Sequence, residues 1–384
     1  MEKYHVIGLM SGTSLDGVDI AYCEFWKKTK QWNYKIIKAQ TVSYKESWKQ
    51  KLSTLENDSA IVFAKTHNEY GHFLGTLVRR FINKHGLKID FVSSHGHTIF
   101  HQPEKRITFQ IGSGAAIAAE CGCPVICDFR SLDVALGGQG APLVPVGDAL
   151  LFPQYDYRLN LGGFANISFN HGYETPKSRK KCGASLTNKN KPGWQADKTQ
   201  VAFDICPVNI VINHLCQSLG YDFDDKGKFG KRGNVVINLM DELNAIAFYK
   251  SPGGPKSLGK EWLLKFFFPI LNKYKIPLED KIRTLYEHIA VQIARVINAG
   301  QPARQGKSQK ILVTGGGTYN TFLMERIAKL TNQKIYMPDK ILIEYKEALI
   351  FAFLGVLRMR ESTNCLKSVT GALKNNVGGC IYFN

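Results

Sequence analysis

Three short segments combine glycine with small hydroxyl, amide or carboxylate side chains directly after an apolar run. They are "MSGTSLDG" (10–17), "NLGGFAN" (160–166) and "TGGGTYN" (314–320). Glycine lets backbone N–H groups come close to a phosphate, and Ser and Thr hydroxyls add further donors. In the first segment these donors would be Gly12, Thr13 and Ser14. Asp16 would face a cation or the water bound to it.

None of the three segments matches the nucleotide fingerprints GxxxxGK[ST] or GxGxxG. Each segment taken alone could equally be a tight turn. The third opens a predicted helix, whose N-terminal dipole favours an anion or a nucleoside. Three such segments in one chain, two of them at equivalent places in a repeat, favour nucleotide binding.

The elements that must position these segments follow one plan twice. The first copy has predicted strands and then helices and short strands in alternation: strands 4–10, 18–26 and 33–43, then helix 59–85. The second copy begins near residue 156, with predicted strands 157–163, 164–170 and 199–205. A separation of about 150 residues is too long for a solenoid repeat. The pattern predicts a duplicated α/β domain with a cleft between its halves.

Length and composition set the class of protein. A chain of 384 residues, 44% of them hydrophobic, is expected to fold into two globular domains. The longest apolar stretch, 348–357, is shorter than the roughly 20 residues of a membrane helix, and no signal peptide is visible. The nine cysteines lack a framework spacing, which predicts reduced thiols in the cytoplasm. Cys121, Cys123 and Cys127 could suggest a metal, but their apolar surroundings favour core positions.

The net charge of +18 suggests polyanionic partners, including nucleic acid and phosphorylated ligands. Residues 171–199 alone carry seven Lys and Arg against two acidic residues, in a polar segment with prolines that we interpret as a solvated loop insertion. Zinc-type cysteine pairs and an aromatic-rich basic sheet motif are absent from the sequence. These features argue against nucleic acid as the partner.

Distant motifs resemble one known family in their order along the chain. They are "GLMSGTSLDGVD", "SHGHTIFHQP", "DFRSLDVALGGQGAPLVP", "NLGGFANISF", "FDICPVN", "PKSLGKEWL", "VTGGGTYN" and "SVTGA". Together they resemble the anhydro-N-acetylmuramic acid kinases, cytoplasmic enzymes of cell-wall recycling in the sugar kinase/actin/Hsp70 superfamily. The resemblance runs from residue 5 to 383 and leaves unmatched only insertions near 171–199 and 300–309.

The resemblance implies an α/β fold: a duplicated actin-like (ribonuclease H-like) two-domain ATPase with an ATP cleft between the domains. Residues 1–130 with 345–384 would form the first domain, and 131–344 the second. The implied reaction uses ATP, Mg²⁺ and water. Water opens the 1,6-anhydro bridge, and the freed O6 takes the γ-phosphoryl group to give N-acetylmuramic acid 6-phosphate.

The resemblance also assigns the nucleotide site. The ATP-binding residues would be Gly12, Thr13, Ser14, Leu15, Asp16, Gly17, Val18, Asp19, Gly162, Gly163, Asn166, Gly315, Gly316 and Gly317. Asp16 is the candidate ligand of Mg²⁺, and Asp19 is either a second carboxylate beside it or a turn residue. Asn320 is interpreted as the cap of the following helix.

Asp204 in "FDICPVN" matches the family's catalytic aspartate, which would act as base on the attacking water. The alternative is a helix N-cap before Pro207. The family pattern at this place is FDTGPGN, so Ile205, Cys206 and Val208 replace a threonine and two glycines. Loss of glycine would alter close backbone approach, which puts the identity of the substrate in question.

Contacts to the anhydro amino sugar are implied for His95, His97, Gln110, Arg130, Asp133 and Glu347. Arg130 and Asp133 could instead be a surface ion pair. Glu347, at the predicted start of a helix over 346–360, is either a sugar ligand or a stabiliser of the helix dipole. His97 stands where the family pattern has glutamine, and both side chains can donate and accept hydrogen bonds.

Two alternatives to this function stay open: a kinase of a related amino sugar, and a catalytically weak nucleotide-dependent sugar sensor. The sequence neither requires nor forbids a homodimer, and no membrane partner is expected.

Overall fold

The structure, a computed structural model, describes residues 2–12, 15–171, 199–250, 256–299 and 309–383. Its strands are β1 (Lys3–Met10), β2 (Gly17–Lys28), β3 (Gln31–Ser43), β4 (Phe91–Ser94), β5 (His97–Gln102), β6 (Ile107–Ile111), β7 (Val125–Cys127), β8 (Tyr157–Leu161), β9 (Phe164–His171), β10 (Thr199–Pro207), β11 (Lys310–Thr314), β12 (Lys334–Tyr336) and β13 (Cys380–Tyr382).

The α-helices are α1 (Glu46–Thr54), α2 (Ala60–His85), α3 (Gly114–Cys121), α4 (Ser131–Ala135), α5 (Val144–Leu151), α6 (Asn209–Gln217), α7 (Lys228–Arg232), α8 (Ile237–Asn244), α9 (Lys260–Trp262), α10 (Phe268–Lys273), α11 (Leu278–Ala299), α12 (Thr321–Thr331), α13 (Lys340–Met359) and α14 (Lys367–Thr370).

Two sheets share one topology. The first has the strand order β13-β7-β4-β1-β2-β3, and the second has the order β10-β9-β8-β11-β12. In each sheet the first three strands form an antiparallel meander, and the next two lie parallel to the first strand. Within these two sheets β13 is the one described strand without a counterpart, and β5 and β6 form a separate two-stranded sheet in the first half. The predicted duplication is therefore confirmed, because the same path is followed twice.

Strand β1 separates two apolar cores. Val6 points into a core shared with α13, and Ile7 points into a core shared with α2, as expected from the alternation of side chains along a strand. A third core lies around the second sheet and α11. Burying each such side chain contributes about 1.5–3 kcal/mol.

Gly8 on β1 lets α13 lie directly on the first sheet. A Cβ at this position would overlap the carbonyl oxygen of Ala348. The close approach fixes the part of α13 that contains Glu347 against the middle of β1.

The three strands predicted at the N-terminus and the helix over 59–85 are confirmed within one or two residues. Gly86 ends that helix in a left-handed conformation, with φ 60°. The helix predicted over 346–360 begins instead at Lys340, capped by Asp339, and has a non-helical residue at Tyr345. None of the helices among the described residues combines the length and the apolar character needed to cross a membrane.

Candidate functional site

A row of polar residues crosses the second sheet near the carboxyl ends of β8 and β11. Asp204 on β10 pairs with Asn166 on β9, which pairs with Asn160 on β8. Asn160 pairs in turn with Thr314, the last residue of β11. The antiparallel strand β9 begins and β10 ends at this same edge, so the row gathers side chains from four strands.

Both glycine turns of the second half leave the sheet from this edge. Gly315 has φ +85°, and a Cβ there would lie 2.6 Å from Oδ1 of Asn160. A Cβ on Gly317 would lie 2.8 Å from the Cβ of Leu161. The turn at 315–317 therefore needs glycine to lie against the end of β8, directly before the turn at 162–163.

The start of α6 closes this cluster. The Asn209 side chain donates to the carbonyl of Leu161 over 3.2 Å, and Val208 N–H donates to the carbonyl of Gly163 over 2.8 Å. The two glycine turns and the start of α6 thus lie together, and their glycine-rich backbone is of the kind that binds phosphate or a nucleoside. Asn320 caps α12 by accepting a hydrogen bond from Leu323 N–H over 3.0 Å, which confirms its interpretation as a cap.

Asp204 lies at an irregularity of β10, where the register shifts between Asp204 and Cys206. Its Oδ2 accepts a 2.8 Å hydrogen bond from the backbone N–H of Leu258. Among the described residues, its Oδ1 makes no hydrogen bond. Burial raises the pKa of this carboxyl to about 6, and the bond from Leu258 opposes the rise. The carboxylate thus has one oxygen fixed and one available to a water.

The N-cap alternative for Asp204 is wrong. The residue that caps α6 is Val208, and no side chain makes a capping bond there. Asp204 faces the loop after residue 255 instead, because its own N–H donates to the carbonyl of Lys256 over 2.9 Å.

Sequence reasoning did not identify Lys256 and Leu258 as parts of the site. Both act through backbone atoms, which any residue type carries. The only signal was the motif "PKSLGKEWL", to which the sequence gave no role.

The residues that depart from the family pattern beside Asp204 point into the core. Ile205, Cys206 and Val208 are each at most 1% exposed and belong to the apolar core of the second half. Val208 has φ −128°, so its backbone does not need glycine. These replacements leave the carboxylate of Asp204 in place.

The first glycine turn follows β1. Thr13 and Ser14 lie outside the described residues. Leu15 has φ +60° and donates its N–H to the carbonyl of Gly12 over 3.3 Å. Gly17 serves packing, since a Cβ there would overlap the carbonyl of Val42 on β3. Val18 is buried in the core, so only its backbone could face a ligand.

Two carboxylates flank this turn. Asp16 is exposed, and Asp19 accepts a 2.6 Å hydrogen bond from the Thr41 hydroxyl. Burial raises the pKa of Asp19, and the nearby charges of Asp16 and Glu344 raise it further. The pair fits Mg²⁺, which is commonly held by one or two carboxylates together with substrate phosphates.

His95 and Arg130 form a fixed pair beside the same turn. The Arg130 guanidinium donates to Nε2 of His95 over 2.9 and 3.2 Å and to the carbonyl of Gly140 over 2.6 Å. The hydrogen of His95 therefore lies on Nδ1, from which it bonds the carbonyl of Gly96 over 2.9 Å. Burial lowers the pKa of Arg130 to about 10 and that of His95 well below its usual value.

Glu347 interacts electrostatically with Asp19 and Arg130. Burial raises the pKa of its carboxyl, the nearby charges of Lys346 and Arg130 lower it, and Asp19 raises it. Since α13 begins at Lys340, Glu347 does not head the helix as predicted, although it follows the break at Tyr345. Glu347 is thus close enough to Asp19 and Arg130 for their charges to act on it.

Asp133 is buried beside the loop whose Gly140 carbonyl bonds Arg130. It is completely buried, and its Oδ2 accepts a 2.8 Å hydrogen bond from Gly140 N–H. Its Oδ1 accepts bonds from Cys365, Thr370 and Asn376. The surface ion-pair alternative is therefore wrong, and Asp133 supports the loop that bonds Arg130.

His97 and Gln110 lie on the small β5–β6 hairpin. His97 is the first residue of β5 and is 3% exposed. Gln110 on β6 lines a cavity of about 190 Å³ together with His95. The cavity is lined by residues of the first half, by Ser131 on α4, and by Cys380 and Tyr382 on β13, and its lining does not include Asp204.

Two sheets of identical topology, each with a glycine turn directly after its first strand, define the duplicated actin-like class of α/β proteins. Comparison with protein families narrows this class. The model of the family described as anhydro-N-acetylmuramic acid kinase matches residues 4–177 and 192–384. The chain therefore belongs to the anhydro-N-acetylmuramic acid kinase family, a family of enzymes.

Curated relatives match over their whole length. An anhydro-N-acetylmuramic acid kinase of Francisella tularensis subsp. novicida is 32% identical over 403 residues, covering 100% of both chains. One of Vibrio parahaemolyticus is 31% identical and covers 98% of this chain and 97% of the relative. Among solved structures, component A of the (R)-2-hydroxyglutaryl-CoA dehydratase of Acidaminococcus fermentans covers 91% of this chain and 96% of its own at 12% identity. Its TM-score of 0.42 is too low to bear on the site.

Proposed function

We propose that this chain is an ATP-dependent kinase that opens 1,6-anhydro-N-acetylmuramic acid with water and phosphorylates O6. The product is N-acetylmuramic acid 6-phosphate, and the step belongs to peptidoglycan recycling in the cytoplasm. Membership of the family and the curated names of full-length relatives support the substrate.

The reaction has a definite balance of bonds and protons. Water adds to the anomeric carbon and the bond from that carbon to O6 breaks. O6 forms a bond to the γ-phosphorus of ATP, ADP leaves, and the water proton passes to a base. The protein would contribute a base that takes the proton of the water and a site that positions the phosphates and neutralises their charge.

Asp204 is the proposed base, and its environment is the observation that carries the proposal. Its Oδ2 is anchored by Leu258 N–H at 2.8 Å, which leaves Oδ1 to accept the proton. A pKa of about 6 keeps the group ionised at neutral pH and still basic enough to take a proton. Ile205, Cys206 and Val208 do not disturb this arrangement, because they face the core.

The ATP site is proposed between the glycine turns of the two halves. Gly12 to Gly17 would contact the phosphates, and 162–163 with 315–317 would contact the nucleoside. Asp16 and Asp19 would hold Mg²⁺, which when bound neutralises charge on the β- and γ-phosphates. We further propose the domain boundaries at 130/131 and 344/345, the latter supported by the break in α13 at Tyr345.

The sugar site is proposed on the first half, where His95, His97 and Arg130 follow β4 and β7. Arg130 would attract an anionic group of the sugar, and Glu347 beside it would bind a hydroxyl. Asp133 would act through the loop that bonds Arg130, since both of its oxygens are occupied.

A coupled assay for ADP with 1,6-anhydro-N-acetylmuramic acid tests the function, with the Asp204→Asn protein run beside the parent. We expect turnover in the parent and a loss of at least about 100-fold in Asp204→Asn. The affinity for ATP in that variant should stay near that of the parent. Substantial remaining turnover would remove Asp204 as the base.

The position of the label after turnover in labelled water distinguishes the proposed reaction from the two alternative functions. In ¹⁸O-water, hydrolysis of the bridge places the label on the anomeric oxygen of the product. Phosphorylation without that label indicates a kinase of a related amino sugar. Tight binding of ATP with no turnover on any amino sugar indicates a sensor.

A further inference from the structure

Three hydroxyl groups connect the helix α2 to the sugar side of the site. Tyr70 OH lies 2.5 Å from Tyr44 OH, which lies 2.6 Å from Ser11 Oγ. Ser11 Oγ lies 2.8 Å from Nδ1 of His97. Tyr70, Tyr44 and Ser11, here called the hydroxyl chain, are at most 5% exposed.

A count of hydrogens gives the direction of these bonds. There are three contacts, and each hydroxyl supplies one hydrogen. If Nδ1 of His97 accepts, every hydrogen fills one contact. If Nδ1 carried a hydrogen, four hydrogens would compete for three contacts, and one buried hydroxyl would lack an acceptor among the described residues. Leaving a buried donor unpaired is costly, so Nδ1 is the acceptor.

We propose that the hydroxyl chain holds His97 in the tautomer with its hydrogen on Nε2, so that His97 donates to an acceptor oxygen of the sugar. Nε2 makes no hydrogen bond to the described residues, which leaves its N–H for a ligand. The contact to sugar rests on the proposed function, whereas the tautomer does not. Tyr70, Tyr44 and Ser11 are positioning residues in this scheme.

The neighbouring histidine shows the opposite arrangement. His95 accepts from Arg130 at Nε2 and keeps its hydrogen on Nδ1, where the carbonyl of Gly96 takes it. His97 alone of the two has an N–H without a protein acceptor among the described residues. Burial lowers the pKa of His97 to about 4, so the ring is neutral at pH 7.

The tautomer has a consequence for specificity. The resemblance places glutamine at this position in the family, and an amide both donates and accepts. Imidazole held by the hydroxyl chain only donates at Nε2. The sugar group beside His97 must therefore present an acceptor oxygen, and an analogue with a protonated amine there should bind poorly.

Nitrogen NMR of the full-length, ligand-free protein with ¹⁵N-labelled histidine tests the tautomer. The chain has ten histidines, so the spectrum of His97→Gln identifies the signal of His97. We expect a single neutral tautomer with hydrogen on Nε2 at pH 7. A hydrogen on Nδ1, or a charged ring, would overturn the proposal.

Variants of the hydroxyl chain separate positioning from general structure. Ser11→Ala removes the bond to Nδ1, and the second tautomer should appear, whereas Ser11→Thr restores the hydroxyl and the parent signal. Tyr44→Phe gives a second test away from the glycine turn and should weaken the preference in the same direction. An unchanged tautomer in both Ser11→Ala and Tyr44→Phe would contradict the inference.

The assay with the anhydro sugar tests the proposed contact between His97 and the sugar. Ser11→Ala should raise KM for the sugar about fivefold, the effect of one net hydrogen bond, and Ser11→Thr should not. If the parent shows the expected tautomer but does not turn over the anhydro sugar, the proposed function fails and the tautomer stands. If the parent turns over the sugar with His97 in the other tautomer, the inference fails and the function stands.

Discussion

The backbone N–H of Leu258 donates a 2.8 Å hydrogen bond to Oδ2 of Asp204 and so orients a carboxylate that burial makes more basic. Burial is the larger effect and raises the pKa to about 6, while the bond from Leu258 lowers it. A freely rotating carboxylate would lose this orientation. The bond from Leu258 therefore accounts for the orientation of the proposed base, and burial accounts for its strength.

The rate should depend on pH through Asp204. A base must be ionised, so kcat/KM should fall as the pH drops through about 6. On the acid side, the logarithm of kcat/KM should rise with pH with a slope that approaches one, as for a single titrating group. Initial rates from pH 5 to 8 at low sugar concentration measure this limb. A limb centred near pH 4, the usual value for aspartate, would mean that burial does not act on the base in this way.

Asp204→Asn should stabilise the protein at neutral pH. The folded pKa of about 6 exceeds the unfolded value, so the folded parent loses stability as the pH rises between about 4 and 6. Asparagine removes this loss and can still accept from Leu258. The gain in the free energy of unfolding should be at most about 3 kcal/mol at pH 7.5 and about half of that at pH 5.

Urea denaturation of the parent and the variant at both pH values measures this gain. Asp204→Leu is the matched control, because it removes the charge but also the acceptor for Leu258. It should gain less than Asp204→Asn. Equal stability of the parent and Asp204→Asn at pH 7.5 would contradict the burial of the charge.

The glycine turn after β11 should tolerate substitution unevenly. In Gly315→Ala the new Cβ would lie 2.6 Å from Oδ1 of Asn160 in a left-handed backbone conformation. We expect a loss of about 1–3 kcal/mol in stability and a raised KM for ATP. Gly316→Ala is the control for stability, because the nearest atom to its Cβ is 3.9 Å away. Similar melting temperatures for the two variants would show that the turn relaxes freely.

Much of the fold could be predicted from local patterns. The strands of both meanders alternate or run apolar over several residues, and α2 carries a full apolar face ended by Gly86. Short elements such as β12 and β13 have only three residues each, too few for a period to appear. The start of α13 lies six residues before the predicted one, because the helix begins at the Asp339 cap and continues through a non-helical residue at Tyr345, which the sequence pattern does not mark.

The candidate site was predictable where glycine or a charged side chain marks it. Asp204 and the turn at 315–317 are examples, and the topology brings both to one edge. The contacts of Leu258 and Lys256 with Asp204 use backbone atoms, so side-chain types could not indicate them. The full burial of Asp133 depends on partners more than 200 residues away, which no local pattern reveals.

A buried ion pair joins the two halves beside Glu347. Nζ of Lys346 on α13 lies 3.3 Å from Oδ1 of Asp148 on α5, and both side chains are at most 5% exposed. Ser168 on β9 donates to the other oxygen of Asp148 over 2.7 Å. Since α13 packs on the first sheet and β9 belongs to the second, this chain of contacts crosses between them.

Lys346→Met should therefore destabilise the protein strongly. It removes the ion-pair partner of the buried Asp148 carboxylate and leaves buried Arg158 as the nearby cation, and breaking such a pair costs up to about 3–5 kcal/mol. Adding Asp148→Asn should recover part of the loss, because the neutral amide carries no charge and can still accept from Ser168, whereas Arg158 loses a nearby carboxylate. Denaturant midpoints of the two single variants and the double variant measure the coupling. Additive losses in the double variant would mean that Lys346 and Asp148 contribute independently.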